Sequence, residues 1–270
     1  MKIKLLNSVF VVSLLSISFS LFSQDALFPI EEKGKWGYIN KSGKAVINPQ
    51  YDFAEPFSEG MAAVVKGGKR GFIDAAGKMV IDAKYDKTTS FSEGMASGKS
   101  GGAWSYFDKT GKVVVDFQYD ECFDFMEGMA NVRKGDDNTG KWGFIDKTGK
   151  EVIAIKFDRV WPFSEGMALV RVGNFKTGKY GYMNKTGEIV IPPTYTGGDY
   201  FKEGVACISS SLDPKNATFQ FIDKKGEVVI NKNFKYLTTF KNGLAKVASP
   251  DLKTGYTFGY IDKTGKYVWP

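Results

Sequence analysis

The chain has 270 residues, of which 43% are hydrophobic and 15% aromatic, so it can bury a core and global disorder is excluded. Its net charge of +7 comes mostly from lysines that recur at equivalent turn positions, and arginine is scarce, so we expect no nucleic-acid partner. The chain contains no histidine, which excludes Ser-His-Asp and Cys-His catalysis and histidine-based zinc sites.

The first residues form a separate segment. Lys2 and Lys4 precede the apolar run 5–22, and a small serine follows this run. The pattern is typical of a secretory signal peptide, residues 1–23, and predicts export to the periplasm, the cell surface or the medium. The alternative is an uncleaved membrane anchor, because the apolar run is nearly long enough to span a bilayer. We favour cleavage, and therefore expect no membrane span in the mature chain, residues 24–270.

Seven copies of one short unit fill the mature chain. Aligned on a Trp-Gly pair, successive copies are 34, 34, 38, 38, 39 and 39 residues apart. The equivalent pairs are Trp36-Gly37, Arg70-Gly71, Trp104-Ser105, Trp142-Gly143, Tyr180-Gly181, Phe219-Gln220 and Phe258-Gly259. One copy cannot bury its own aromatic side chains, so neighbouring copies must stack and share a core.

Each copy carries a hairpin turn whose glycine follows the Trp position by seven residues. The turn begins with Asp or Asn and ends with this glycine, as in the segments 40–43 and 146–149. This is a type I turn signature, with the glycine in a left-handed bulge position. We interpret the aspartates as turn residues, because a calcium loop needs several clustered oxygen ligands and each turn offers one. We expect no metal and no cofactor.

The pattern continues beyond the turn. An aromatic residue follows the turn glycine at eight residues, a phenylalanine at fourteen, and a second glycine at seventeen, where a third strand such as 61–65 begins. Each copy therefore predicts three short strands and a possible fourth near the phenylalanine, without helical periodicity. The last copy stops after its second hairpin strand. Leu27 to Ile30 matches the missing strand, so we expect it to complete that copy and close a β-propeller-like ring; the alternative is an open β-solenoid.

Two segments of the copy carry a specific resemblance. The segments 34–39 (GKWGYI) and 57–62 (FSEGMA), with their equivalents in later copies, resemble the WG repeat of bacterial exported and surface proteins. The resemblance covers about residues 27–270. It implies a single all-β repeat domain with an interaction role, and it brings no catalytic residue with it.

All length differences between copies fall between the second glycine and the next Trp position. The long versions are Gly135 to Lys141, Gly173 to Lys179, Ser209 to Thr218 and Ser249 to Thr257. Insertions confined to one connection lie on one face of a repeat array, and binding residues concentrate in such loops; neutral drift in loop length is the alternative. The candidate binding residues are Asp136, Asp137, Asn138, Asn174, Phe175, Asp213, Asn216 and Asp251.

Two residues outside the loops depart from the repeat pattern. Trp161 and Tyr200 are further candidates, as exposed aromatic anchors. The cysteines, Cys122 and Cys207, occupy unlike positions in their copies, and we expect them to be packed and unbridged.

The glutamates that precede the second glycine were weighed as catalytic acids: Glu59, Glu93, Glu127, Glu165 and Glu203. Glycoside hydrolysis needs two carboxylates about 5 to 9.5 Å apart, but a residue repeated in most copies is more simply a turn position. We therefore predict a non-catalytic exported module that binds a protein or an envelope component. The alternatives are a carboxylate-dependent glycan hydrolase or lyase, and a purely structural surface repeat.

Overall fold

The computed structural model describes residues 26–211, 218–230, 232–251 and 255–269. The predicted signal peptide, residues 1–23, lies outside them. The regular elements of the described part are all β-strands. Within that part, no helix has the length and apolar character needed to cross a membrane.

Seven antiparallel sheets of three or four strands follow one another along the chain. Sheets 1 to 3 contain β1 (Leu27–Glu32), β2 (Lys35–Asn40) and β3 (Ala45–Tyr51); β4 (Phe53–Ala54), β5 (Met61–Lys66), β6 (Lys69–Asp74) and β7 (Met79–Tyr85); and β8 (Lys87–Thr88), β9 (Met95–Ser100), β10 (Ala103–Asp108) and β11 (Val113–Tyr119). Sheets 4 and 5 contain β12 (Glu121–Cys122), β13 (Met129–Lys134), β14 (Lys141–Asp146) and β15 (Glu151–Phe157); and β16 (Arg159–Ser164), β17 (Met167–Val172), β18 (Lys179–Asn184) and β19 (Ile189–Tyr195). Sheets 6 and 7 contain β20 (Gly197–Gly198), β21 (Ala206–Ser209) and β22 (Phe219–Ile222); and β23 (Tyr236–Leu237), β24 (Ala245–Asp251), β25 (Gly255–Ile261) and β26 (Tyr267–Trp269).

Each sheet straddles the boundary between two sequence copies. Sheet 2, for example, takes β4 and β5 from the first copy and β6 and β7 from the second. The short first strand is the fourth strand expected near the phenylalanine. Sheet 7 is complete with four strands, and β1 pairs with β2 in sheet 1 through the two-residue turn Lys33-Gly34. In sheet 1, β1 holds the place that β5 holds in sheet 2, so Leu27–Ile30 is a third-strand equivalent, as the sequence predicts.

The hairpin turns have the chemistry predicted for them. In sheet 3, Oδ1 of Asp108 accepts the N–H groups of Thr110 at 2.8 Å and Lys112 at 3.1 Å, and the Thr110 hydroxyl at 2.6 Å. The N–H of Gly111, whose φ is 83°, donates to the Asp108 carbonyl at 3.0 Å. A carboxylate oxygen with these local donors is a turn cap. The equivalent residues cap the other six turns in the same way.

The core lies between the sheets. Six buried clusters occupy the six junctions between consecutive sheets, and each contains one recurrent ring pair. The ring centroids are 4.7 to 5.0 Å apart in Tyr38–Phe57, Phe72–Phe91, Tyr106–Phe125, Phe144–Phe163, Tyr182–Phe201 and Phe221–Phe240. Such tilted or edge-on pairs contribute about 0.5–1.5 kcal/mol beyond the apolar area that they bury. Stacking of neighbours is therefore what stabilises each unit.

The ring that the sequence suggested is not closed within the described residues. Tyr260 of sheet 7 is 40% exposed, whereas its equivalents in the six preceding sheets are at most 1% exposed. On the opposite side of the array, Ile39 of sheet 1 is partly exposed, although its equivalent Ile73 is fully buried. The all-β repeat architecture is confirmed, and its two terminal faces are open.

The glycine of the Trp-Gly pair has a steric role. A Cβ atom on Gly143 would lie 2.5 Å from the carbonyl oxygen of Ile153 in the neighbouring strand, and Gly37, Gly71 and Gly181 have the same environment. In sheet 6 this position is Gln220, and the fourth strand is reduced to isolated bridges. Ser105 in sheet 3 keeps the full pairing, so a small side chain fits where glutamine does not.

Candidate functional site

The strands of each sheet run alternately up and down, so the connections between them lie on two opposite faces of the array. The hairpin turns and the second glycines lie at one end of the strands, which we call the turn face. The connections from the third strand to the Trp-Gly strand lie at the opposite end, the loop face. The length differences predicted from the sequence fall on the loop face, where the two-residue turn Gly67-Gly68 of sheet 2 is replaced by longer loops in later sheets.

Two loops of six residues, 135–140 in sheet 4 and 173–178 in sheet 5, have the same construction. Oδ1 of Asp136 accepts the N–H groups of Asn138 and Thr139, both at 2.7 Å. Oδ1 of Asn174 accepts those of Lys176 at 2.9 Å and Thr177 at 3.0 Å. Both Asx residues therefore shape their own loops.

A cleft of about 580 Å³ lies between these loops, within the size range of ligand sites. We call it the loop cleft. Its lining consists of Asp137, Asn138, Gly140, Asp158, Arg171, Gly173, Asn174, Phe175, Lys176 and Thr177. The ring of Phe175 is 81% exposed, which is the highest exposure among the large apolar side chains described. An exposed ring beside charged and amide groups is suited to contact with another molecule.

Guanidinium groups and aromatic rings support the cleft from below. The guanidinium of Arg159 lies 4.2 Å from the ring centre of Trp142 and 5.6 Å from that of Trp161. The guanidinium of Arg133 lies 5.7 Å from the ring centre of Trp142. Burial, with Arg171 and Arg133 nearby, lowers the pKa of Arg159 from its usual value. Cation–π contacts of this kind contribute about 0.5–2 kcal/mol each and fix the positions of the groups above them.

The turn face carries the repeated glutamates, and each has the same contacts. Its Oε2 atom accepts the N–H of the second glycine of the next sheet at 2.9 to 3.0 Å and lies 3.1 to 3.5 Å from a turn lysine of that sheet. We call this contact a rung. The rungs start from Glu59, Glu93, Glu127, Glu165 and Glu203.

Each rung starts from an unusual backbone. All five glutamates have φ between 51° and 54°, a left-handed conformation that residues other than Gly, Asn and Asp rarely adopt. A two-residue hairpin turn imposes it: around Glu59, the N–H of Ser58 donates to the Met61 carbonyl at 2.8 Å and the N–H of Met61 to the Ser58 carbonyl at 3.0 Å. The five candidate catalytic carboxylates therefore connect neighbouring sheets.

The two aromatic candidates do not line the loop cleft. Trp161 is half-buried and packs against Tyr180 with ring centres 5.7 Å apart, so it is not an exposed anchor. Tyr200 is exposed and lines a second cavity of about 320 Å³ on the turn face. Met126 and Thr239 also line it, so sheets 4 to 7 converge there and the array is curved.

Four of the predicted loop residues line the loop cleft: Asp137, Asn138, Asn174 and Phe175. Asp136 instead caps its loop. Asp213 and Asn216 lie outside the described residues, as does the side chain of Asp251, which is in β24. Their part in binding stays a prediction.

Sequence reasoning missed the basic residues of the site. Arg133, Arg159 and Arg171 are three of the four arginines in the chain. Arg171 lines the loop cleft, Arg133 is paired with Asp137 of its lining, and Arg159 is the cross-strand neighbour of Arg171. The signal was present in the sequence as a local concentration of a scarce residue. It was read only as evidence against nucleic-acid binding.

The cysteines are packed as expected. Cys122 and Cys207 are both free, and burial raises the pKa of each thiol to about 12. Among the described residues, no group of three or more Asp, Glu, Cys or His side chains could hold a metal ion.

Solved structures with a similar fold have very different sequences. Porphyromonas gingivalis dipeptidyl peptidase 4 is 10% identical with a TM-score of 0.53, and the match covers 90% of this chain and 49% of that chain. Kluyvelomyces marxianus Hsv2 is 12% identical with a TM-score of 0.47, covering 76% and 69%. The chain thus spans about half the length of the peptidase, and the likeness concerns the fold alone.

No curated protein matches the sequence. The family model described as "WG containing repeat" matches it at residues 36–69, 71–101, 104–136, 142–174, 180–209 and 221–248. These six matches span more than half of the residues and follow the sequence copies, so the chain belongs to the WG containing repeat family.

Proposed function

We propose that this chain is an exported, non-catalytic repeat protein that binds a protein or another component of the cell envelope through the loop cleft. The observation that carries the proposal is the cleft itself. Two neighbouring sheets extend loops of the same construction, and an exposed aromatic ring, amides and charged groups converge between them. A rigid scaffold with variable loops on one face is a common arrangement for binding.

Two further observations support a binding role over a catalytic one. The repeated glutamates are held in rungs, each with a backbone N–H and a lysine, so they are engaged in joining sheets. The carboxylates of the cleft are engaged as well: Asp137 with Arg133, and Asp158 with Lys141 at 2.5 Å. A general acid or base needs a carboxyl group that can exchange its proton with a substrate.

The test replaces each six-residue loop by Gly-Gly. The strand pairs that flank the loops, Lys134 with Lys141 and Val172 with Lys179, match the pair Lys66 with Lys69, so the short turn of sheet 2 preserves the register. We expect the mature protein to capture a component of envelope extract that the double loop variant does not capture. Equal melting temperatures would show that both proteins are folded.

Two results would reject the proposal. Capture of the same components by the double loop variant would remove the cleft as the contact surface. Turnover of envelope glycans by the purified protein, measured as new reducing ends, would replace the binding role with a catalytic one.

A further inference from the structure

The two loops of the cleft differ at one pair of positions that are otherwise equivalent. Arg133 and Arg171 both stand two residues before the first glycine of their loop. The third residue of the loop is Asp137 in sheet 4 and Phe175 in sheet 5. The protein therefore contains the same arginine position with and without a carboxylate in the loop above it; Asp158 also lies near Arg171, which helps to lower the pKa of this aspartate.

In sheet 4 the arginine holds a carboxylate of its own chain. Nη1 of Arg133 is paired with Oδ1 of Asp137, although the arginine side chain is only 9% exposed and the aspartate is on the surface. This pair shows what a guanidinium at this position reaches: a carboxylate presented at the loop above it.

In sheet 5 the arginine is held in place but has no such partner. Nε of Arg171 donates to the carbonyl of Gly173 at 3.2 Å, and a Cβ on Gly178 would lie 2.9 Å from its Cγ, so the side chain runs directly beneath the loop. No carboxylate oxygen of the described residues lies within 4.0 Å of its guanidinium nitrogens. Phe175 covers it instead, with 5.9 Å between the guanidinium carbon and the ring centre.

The charged groups of the cleft that have no ion-pair partner among the described residues are positive. Asp158 accepts Nζ of Lys141 at 2.5 Å and the N–H of Gly173 at 2.7 Å, so both of its oxygens are engaged. Lys176, on the rim, forms no ion pair with a described residue. A ligand group that complements this surface is an anion.

We propose that Arg171 binds an aspartate or glutamate side chain of a partner protein, with an apolar neighbour of that residue against Phe175. The inference rests on the proposed function and names the chemistry of its ligand. Nε is committed to Gly173, and the two Nη groups have no hydrogen-bond or ion-pair partner among the described residues; the planar guanidinium fork matches the two oxygens of a carboxylate. The internal template, Asp137 on Arg133, is itself a protein carboxylate, which favours an acidic peptide segment over other anions.

The probe is a fluorescein-labelled peptide of alternating aspartate and leucine, with an asparagine-leucine peptide of equal length as its uncharged counterpart. Binding is measured by fluorescence anisotropy at fixed salt. A charge-assisted hydrogen bond contributes about 1.5–3 kcal/mol, so we expect the aspartate peptide to bind about ten-fold tighter or more.

Phe175→Asp is the deciding variant, because it restores in sheet 5 the carboxylate that sheet 4 already has. We expect it to occupy Arg171 from within and to reduce the affinity for the aspartate peptide to that for the asparagine peptide. Phe117→Asp is the matched control: it adds the same charge at another exposed phenylalanine, in β11, and should leave the affinity within about two-fold. Arg171→Gln should lose the preference, and its melting temperature checks the fold.

Three results would overturn the inference. One is equal affinity for the two peptides; another is an equal effect of Phe175→Asp and Phe117→Asp. The third is tight binding of an oligouronate with no binding of the acidic peptide, which would make the ligand a glycan. If Phe175→Asp still captures the envelope component that the double loop variant loses, the proposed function stands and only the carboxylate chemistry fails.

Discussion

The rungs of the turn face allow a test of how the sheets are joined. Glu93 is the example: its Oε2 accepts the Gly128 N–H at 2.9 Å and lies 3.2 Å from Nζ of Lys147, while its φ is 52°. Two opposing terms act at this residue. The rung stabilises the folded state, and the left-handed backbone destabilises it. Substitutions to alanine and to glycine separate the two, because both remove the rung but only glycine removes the backbone strain.

The expected magnitudes follow from the exposure. A hydrogen bond to a charged group contributes about 1.5–3 kcal/mol when buried. The Glu93 side chain is 31% exposed and Lys147 is 44% exposed, so we discount the rung to about 1–2 kcal/mol for solvent screening. Glu93→Ala should therefore lower the free energy of unfolding by about 1–2 kcal/mol. The free energy of unfolding of Glu93→Gly should be about 1 kcal/mol higher than that of Glu93→Ala, because glycine accepts a positive φ without strain.

Sheet 7 provides the control. Asn242 occupies the rung position there, with φ of 53°, and the described residues form no sheet beyond sheet 7 that could receive its side chain. Asn242→Gly should be neutral or slightly stabilising, and Asn242→Ala should cost only the backbone term of about 1 kcal/mol. Urea unfolding followed by tryptophan fluorescence measures all four variants. Equal midpoints for Glu93→Ala and Glu93→Gly would refute the strain term, and an unchanged midpoint for Glu93→Ala would refute the rung.

Three further predictions concern pH, packing and thiol chemistry. Burial alone would raise the pKa of Glu93, but the Gly128 N–H and Lys147 together lower it. The ionised carboxylate therefore stabilises the folded state above about pH 4.3, and this stabilisation is lost as the pH falls through the folded pKa. The urea midpoint should fall between pH 6 and pH 3, and it should fall less in Glu93→Gln. Gly143→Gln should lower the free energy of unfolding by about 2–3 kcal/mol and lower the melting temperature, because a long side chain does not fit beside the Ile153 carbonyl. Gly143→Ser should cost less, because Ser105 keeps the full pairing at the equivalent position; equal melting temperatures for the two variants would contradict this. Cys122, buried and with a pKa of about 12, should not react with a thiol reagent at pH 8 until the protein is unfolded; prompt reaction in the native state would contradict its burial.

The sequence was informative where one residue type has one physical reason to recur. Glycines at fixed offsets predicted the turns, because a positive φ is tolerated by few other residues, and Gly43 and its equivalents have φ near 80°. The fixed offsets around the turn glycine predicted the strands, and the recurrent aromatic residues predicted a shared core. The place of the variable loops on one face followed from the position of the length differences alone.

The sequence was less informative where the reason is non-local. The repeat period does not show whether the first and last sheets meet, so the open terminal faces at Ile39 and Tyr260 could not be predicted. The role of Glu93 depends on a glycine and a lysine that are 35 and 54 residues further along the chain and belong to the next sheet. Likewise, the ion pair of Arg133 with Asp137, and the absence of such a pair at Arg171, can be predicted only when the path of the loop above each arginine is known.

The rung has a direction, and this has a consequence for the size of the array. Sheets 2 to 6 each offer a carboxylate to the sheet after them, and sheets 3 to 7 each present a glycine N–H and a lysine to the sheet before them. Removing one whole period, for example residues 104–141, would join β9 to β14 in matching register and bring Lys147 to the place that Lys109 holds beside Glu59. Every remaining contact would find an equivalent partner. Array length can therefore change by whole periods during evolution or in engineered variants, with both terminal sheets unaltered.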